Sequence, residues 1–198
     1  MSIFRTLKGP GQAQKEFKNS IFIAYAIPVN DEKNATEFIK NIKNRHSDAN
    51  HNVSAYLINS GNIIAMRSDD DGEPAGSSGK PVFRVLEMKE LSNVTVVVSR
   101  YFGGIKLGFG GLAKAYKETA IEAIDNAGTI EVRDRICMYI ESDYSDIEIV
   151  NKVVSEYGTV LNTDYSDVAL FTIEIESELE AVFLEKITNA TKNRVTIK

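Results

Sequence analysis

The sequence predicts an α+β protein built in two parts, and three observations carry that prediction. Strand-like and helix-like hydrophobic periodicities alternate along all 198 residues. The last third reads strand, helix, strand, strand, helix, strand, a split β-α-β order. The charge divides at the same place: residues 1–134 carry 17 Lys and Arg against 16 Asp and Glu, and residues 135–198 carry 6 against 12, which together give the net −5. A chain that is 43% hydrophobic and 26% charged, with 13 Gly and 4 Pro, can bury a core, so disordered, collagenous and disulfide-scaffold classes are excluded. Its one cysteine, Cys137, cannot form an internal disulfide. The longest apolar run, Ile21–Ile27, is far short of the roughly 20 residues of a membrane span, and the first residues lack the apolar core of a signal peptide. A cytoplasmic protein with no membrane partner is expected, and no internal repeat points to a solenoid.

The segment before Glu16, with Gly9-Pro10-Gly11, reads as an irregular arm or short edge strand. Glu16–Ile27 is dense in Phe, Ile and Tyr and stops at Pro28, a strand with a terminator. Asn30 is placed to cap a helix through about Arg45, with Ala35, Phe38, Ile39 and Ile42 on one face and His46 at its polar end. Val53–Ile58 and Ile63–Arg67 flank Gly61-Asn62 as a hairpin. Asp69 to Pro81 breaks all periodicity and predicts a long loop, then a helix from about Ser78 to Glu90 with Pro81 tolerated in its first turn. The β-branched run Val94–Val98 predicts a central strand buried on both faces. It leads through Arg100-Tyr101-Phe102 and a glycine-rich turn into a helix striped by Leu112, Tyr116, Ala120, Ala123 and Ala127, with an outward Lys114–Glu118 pair and Gly128 as its stop.

In the last third, Ile136, Met138 and Ile140 alternate in a strand, where Cys137 reads as a buried thiol. Ser145 with Glu148, and Ser177 with Glu180, make two capping boxes. They open helices striped by Ile147, Val150, Val154 and Tyr157, and by Leu179, Val182, Phe183 and Ile187. Gly158 stops the first. Between them Val160–Tyr165 and Val168–Ile175 form a hairpin, and Arg194–Lys198 is a final short strand. The order is that of a ferredoxin-like domain, β-α-β-β-α-β, and the boundary is expected near residue 133, giving domains 1–132 and 133–198.

Chemistry concentrates in two segments. A strand that feeds Gly103, Gly104, Gly108, Gly110 and Gly111 into a helix lets bare backbone and the positive helix end approach an anion. Arg100, Lys106, Lys114 and Lys117 add positive charge, with no acidic residue between 99 and 117. Tyr101 and Phe102 beside them supply what base stacking with phosphate neutralisation requires, and one ring is expected in the core and one outside. A tight turn for helix–sheet packing explains the same glycines. Gly108-x-Gly110-x-x-Ala113 imitates a dinucleotide fingerprint without a clear βαβ context, and Pro81 rules out a magnesium-binding phosphate loop at Gly79-Lys80. In the other segment, Asp70, Asp71 and Glu73 are hard oxygen donors, yet they lack the spacing of a calcium loop and read as a solvated turn; no cofactor is implied. His46 and His51 show no metal-ligand spacing, and no catalytic triad stands out.

These residues form one long gapped pattern. Asp70-Asp71-Gly72-Glu73-Pro74-x-Gly76-x-x-Gly79-x-Pro81 is followed by Asn93-Val94-x-Val96-Val97-Val98-x-Arg100-Tyr101-Phe102-Gly103-Gly104-x-Lys106-Leu107-Gly108-x-Gly110-Gly111-Leu112-x-x-Ala115-Tyr116. It closely resembles the signature of the IMPACT family, best in its bacterial two-domain members of YigZ type. Ser20–Ala24 and His51-x-x-x-Ala55-Tyr56 extend the likeness to essentially the whole chain. Ser77-Ser78 stands where the family often has Thr-Ala, and Phe109 where it often has a small residue or Thr, which bears on access to the turn. The resemblance implies a two-layer α/β first domain, similar to the second domain of a small-subunit ribosomal protein and to domain IV of elongation factor G. It implies a tail like domain V of that factor. Eukaryotic relatives act in translational control through an extra N-terminal domain, bacterial ones have been suggested to bind nucleic acid, and no reaction is attached to the motif.

The expected function is therefore a non-enzymatic binding or regulatory role linked to translation. RNA or a ribosome-associated partner would meet the face around Arg100–Lys117 and the signature loop of Asp71, Glu73, Gly76, Ser77, Ser78, Gly79 and Lys80. The alternative is an enzyme or sensor for a small phosphorylated ligand, with the glycine-rich turn as its anion site and Asp71 and Glu73 positioning a cation. A purely protein–protein role would favour the acidic second domain as contact surface.

Overall fold

The run Val94–Tyr101 becomes the middle strand of a five-stranded sheet, buried along its first seven residues, as β-branched side chains with helices on both faces require. The computed structural model describes residues 3–60, 63–133 and 135–198. Its first part holds β1 (Ile3–Leu7), β2 (Gly11–Phe17), β3 (Ser20–Pro28), α1 (Glu32–Arg45), β4 (His51–Ser60), β5 (Ile63–Asp69), α2 (Gly79–Met88), β6 (Val94–Tyr101), α3 (Gly108–Ala127) and β7 (Thr129–Arg133). The sheet runs β2-β3-β6-β4-β5 with antiparallel neighbours, and β1 pairs with β7.

Side-chain alternation sorts the layers. Phe22, Ala24, Val53, Ala55, Val96 and Val98 face α2 and α3, whose Val82, Val85, Leu86, Leu112 and Tyr116 complete the main core. Each large side chain fully buried there contributes about 1.5–3 kcal/mol of transfer free energy. Tyr56 and Ile58 point to the other face, where Ala35 of α1 meets them.

Several elements differ from the sequence expectation, each for a local reason. The strand expected from Glu16 is interrupted by Lys18 and Asn19, at φ +48° and +64°, a two-residue turn with both centres left-handed. Gly11–Phe17 is thus a regular edge strand, the second of the two readings expected for the segment before Glu16. The α1 cap is Asp31, whose carboxylate accepts from the Asn34 N–H at 2.7 Å, and not Asn30. The hairpin strands β4 and β5 pair as expected, while their turn at Gly61-Asn62 lies outside the described residues.

The second part holds β8 (Arg135–Ser142), α4 (Ile147–Tyr157), β9 (Gly158–Tyr165), β10 (Ala169–Glu176), α5 (Glu180–Thr191) and β11 (Thr196–Ile197), in the antiparallel order β11-β8-β10-β9. This is the ferredoxin-like arrangement, with Ile140, Phe171, Ile173, Val154, Phe183 and Ile187 in its core. Neither capping box forms. Each helix is entered through a 3₁₀ turn, Tyr144–Asp146 and Ser177–Leu179, and no side chain caps α4 or α5. Asp146 is instead turned inward onto Arg194, 2.5 and 2.8 Å away, and the buried Ser177 hydroxyl has no partner among the described residues. Cys137 is exposed, because Met138 and Ile140 take the inward register and alternation sends Cys137 outward. Val182 is also exposed on α5. The chain divides into two compact units, residues 4–131 and residues 1–3 with 132–198. Among the described residues no helix is long and apolar enough to cross a membrane.

Glycine matters most at Gly103, where a Cβ would meet the Asn19 carbonyl oxygen at 2.0 Å and the Ser20 nitrogen at 2.6 Å. Gly110, inside α3, has open space around it. Gly103→Ala should therefore cost about 1–3 kcal/mol in chemical denaturation. Gly110→Ala should be neutral or stabilising by up to about 1 kcal/mol.

Candidate ligand cleft

The acidic loop after β5 sends three carboxylates to three different partners. Asp70 closes the start of α2: one oxygen accepts from the Ser78 and Gly79 N–H groups at 3.0 and 2.8 Å and from the Ser78 hydroxyl at 2.6 Å. Its other oxygen accepts from the Gly76 N–H at 2.7 Å. Burial opposes the charge, but these four donors outweigh it and hold the Asp70 carboxyl below its ordinary 3.8. Asp71, at φ +48°, bonds Lys43 and the Asn52 N–H, both at 2.6 Å, and these partners likewise overcome burial to lower its pKa. Its carbonyl accepts from His51 Nδ1 at 2.8 Å, which places a proton on that nitrogen, since a carbonyl can only accept.

Glu73 goes inward. It is 8% exposed, and its Oε1 accepts from Arg100 Nη1 at 2.6 Å and the Tyr116 hydroxyl at 2.8 Å. Its Oε2 faces His51 Nε2 at 3.9 Å. Arg100 is 6% exposed, with Phe22 and Phe102 rings at 5.5 and 5.3 Å from its guanidinium carbon, and its Nε has no hydrogen-bond partner among the described residues. Burial first, and then the Glu73 charge, push the Tyr116 hydroxyl far above its usual range, so it stays a donor.

Around this ion pair opens a cleft of about 420 Å³, walled by Glu73 and Pro74 of the loop, His51 of β4, Arg100 at the end of β6, Phe102 and Lys106 in the turn that follows, and Phe109 and Leu112 at the start of α3. Arg100, Phe102, Lys106, Gly108 and Glu73 are thus brought together. Phe102, Ile105 and Phe109 are exposed at 44%, 46% and 60%. Gly104 and Gly108 take left-handed backbone, at φ +85° and +69°; Gly110 and Gly111 lie in the first turn of α3. Tyr101 points to the opposite face of the sheet, where its hydroxyl meets His46 Nδ1 at 2.8 Å and donates to Asp48 at 3.0 Å. Gly76, at φ +75°, shapes the loop, Ser77, Ser78 and Gly79 are buried beneath it, and Lys80 is exposed on α2. Lys114 and Lys117 line a separate groove of about 560 Å³ between α2 and α3, with Pro81 and Arg84. Among the described residues no group of three or more His, Cys, Asp and Glu side chains is placed to hold a metal ion.

Sequence reasoning missed the partners rather than the place. Tyr116 sat on an apolar helix stripe and reads as plain core, although its hydroxyl reaches Glu73. His51 carried no metal spacing, and nothing in the pattern singled out Lys43, which bonds Asp71. A buried Glu that must find donors was the signal available.

Fold and cleft together define a two-domain α+β protein whose first domain presents a glycine-rich, ion-paired cleft. The model of the Impact N-terminal domain matches residues 18–124, and that of a domain of unknown function (DUF1949) matches residues 140–194. The chain belongs to the IMPACT family. It is 35% identical over 194 residues to the IMPACT family member YvyE of Bacillus subtilis, covering 98% of this chain and 89% of that protein. It is 27% identical over 190 residues to the IMPACT family member YigZ of Escherichia coli, covering 95% and 93%. A crystal structure described as that of a hypothetical protein matches with a TM-score of 0.69 at 26% identity, covering 100% of this chain and 97% of that one.

Arg100→Met removes one member of a buried pair and should cost about 3–5 kcal/mol in urea denaturation, since it strands the Glu73 charge. For Asp70 the folded pKa is depressed, so its contribution is complete above 3.8 and is lost as pH falls through the lower folded value. Asp70→Asn should be less stable than the parent at neutral pH, and the difference should shrink as pH falls below 3.8 and through the lower folded value.

Proposed function

We propose that this chain is a non-enzymatic binding protein of translation, working in the cytoplasm and contacting RNA or a ribosome-associated partner through the glycine-rich turn and the first turns of α3. The observation that carries this reading is the surface around that turn. Phe102, Ile105, Lys106 and Phe109 are exposed there, and exposed Lys114 and Lys117 line the separate groove that follows along α3, in a stretch from 99 to 117 without an acidic residue. Aromatic faces stack on unpaired bases and lysines neutralise phosphate, so RNA is the partner whose chemistry matches best. The resemblance to elongation factor G domains makes translation the proposed setting. Arg100 enters this reading differently from the other cations: bonded to Glu73 and nine-tenths buried, it holds the cleft, and Lys106 with the α3 lysines carries the phosphate contacts.

The cleft, lined by Lys106 and the glycine-rich turn, favours a second reading, a sensor or enzyme for a small phosphorylated ligand. Stabilisation by a nucleotide in a thermal-shift screen, with no response to RNA, would establish that reading over the first.

The test of the first reading is a salt titration of binding to a single-stranded RNA. Lys106→Ala with Lys117→Ala should weaken binding and reduce the slope of log K against log salt by about 1.4, since each phosphate left without its lysine lowers the slope by about 0.7. An unchanged affinity and slope would overturn it.

A further inference from the structure

We propose that the cleft receives one unpaired nucleotide and selects a base that carries an exocyclic amine, with Glu73 Oε2 and His51 Nε2 as the accepting pair. The floor of the cleft holds one acceptor that the protein leaves open. Glu73 has a side chain only 3% exposed, and both donors that reach it, Arg100 Nη1 and the Tyr116 hydroxyl, are taken by Oε1. Among the described residues Oε2 accepts no hydrogen bond, so the one oxygen of this carboxylate that the protein leaves free lines the cleft and is open to a donor from a ligand.

His51 narrows the choice. Its Nδ1 proton is committed to the Asp71 carbonyl, so in the neutral ring Nε2 is an acceptor, and it lies 3.9 Å from Oε2 on the wall of the same cleft. Two acceptors at that spacing match one group with two N–H bonds. A cation of the ammonium kind is disfavoured, because Arg100 and Lys106 line the same cleft. An anion at the floor is disfavoured by the Glu73 charge. A neutral amine at the floor and an anion at the rim satisfy both walls together.

A nucleotide has that distribution. Its amino group would lie between Glu73 and His51, and its ring against Phe102 or Phe109. Its phosphate would meet Lys106 and the N–H groups opening α3. The volume of about 420 Å³ falls in the range of small-molecule sites, roughly 300–1,000 Å³. The proposal deepens the RNA reading, on which it rests for the source of the nucleotide. The recognition chemistry is the same for a free monophosphate and for one residue of a strand.

The test uses the full chain and matched pairs that differ at the amine: AMP against IMP, CMP against UMP, and oligo(A) against oligo(U), followed by calorimetry or backbone NMR. AMP and CMP should bind at least about tenfold more tightly than IMP and UMP, the discrimination that one well-formed polar interaction with a base edge supplies. Glu73→Gln, checked for folding by circular dichroism and thermal melting, should abolish that preference. Phe109→Ala, at an exposed position, should weaken all four monophosphates alike while keeping the preference. Equal binding of the members of each pair to the parent protein, no binding of any monophosphate, or a preference that survives in folded Glu73→Gln would overturn the proposal. Oligonucleotides that bind without base preference would sink the pocket and leave the RNA reading standing. Monophosphates that bind with the preference while oligonucleotides do not would keep the pocket and remove the RNA reading.

Discussion

The buried bond between Glu73 and Arg100 joins two segments that the chain separates by a whole helix, and the functional surface depends on that junction. Glu73 belongs to the loop after β5, and Arg100 to the end of the central strand β6. At 2.6 Å, with both side chains almost wholly out of water, their attraction is little screened. The cost of removing two charges from water is offset only because each has further company: Tyr116 donates to the carboxylate, and Phe22 and Phe102 lie close to the guanidinium. Such a pair adds little net stability relative to apolar packing. What it does is fix where the loop sits against the sheet.

The rest of the cleft follows from that placement. With Glu73 anchored inward, Asp70 is left to gather the N–H groups at the start of α2, and Asp71 to hold Lys43 and the beginning of β4. Three neighbouring carboxylates that look like a metal cluster on paper are each consumed by a separate structural task. Past the other side of the strand, Gly103 passes so close to Asn19 that only hydrogen fits, and the left-handed Gly104 and Gly108 swing the chain into α3. Rigid walls on both sides leave the exposed Phe102, Lys106 and Phe109 at the rim.

The sheet-forming part of this was legible from residue types. Val94–Val98 could only be a doubly buried strand, and the alternation in Phe171, Ile173 and Ile175 set their face. Gly128 ends its helix in left-handed backbone, and Gly158 ends the next where a Cβ would run into the Glu174 carbonyl. Local competition was less legible. Lys18 carries no turn signal, yet with Asn19 it makes the hairpin. Ser145 and Ser177 satisfy the capping pattern, but 3₁₀ turns and the Asp146–Arg194 pair override it. At the cleft, the sequence marks Arg100 and Lys106 as equivalent cations. Only packing separates a guanidinium buried against a carboxylate from an ammonium facing solvent, because that difference depends on Glu73, twenty-seven residues earlier in the chain.

The most direct test is backbone NMR of the full chain titrated with single-stranded RNA, following which amides move. Progressive shifts concentrated at Asp70–Lys80 and Phe102–Lys117, with the His51 amide among them, are the expected result. Shifts confined to residues 135–198, or none at saturating RNA, would show that the ion-paired cleft and its rim are not the binding surface.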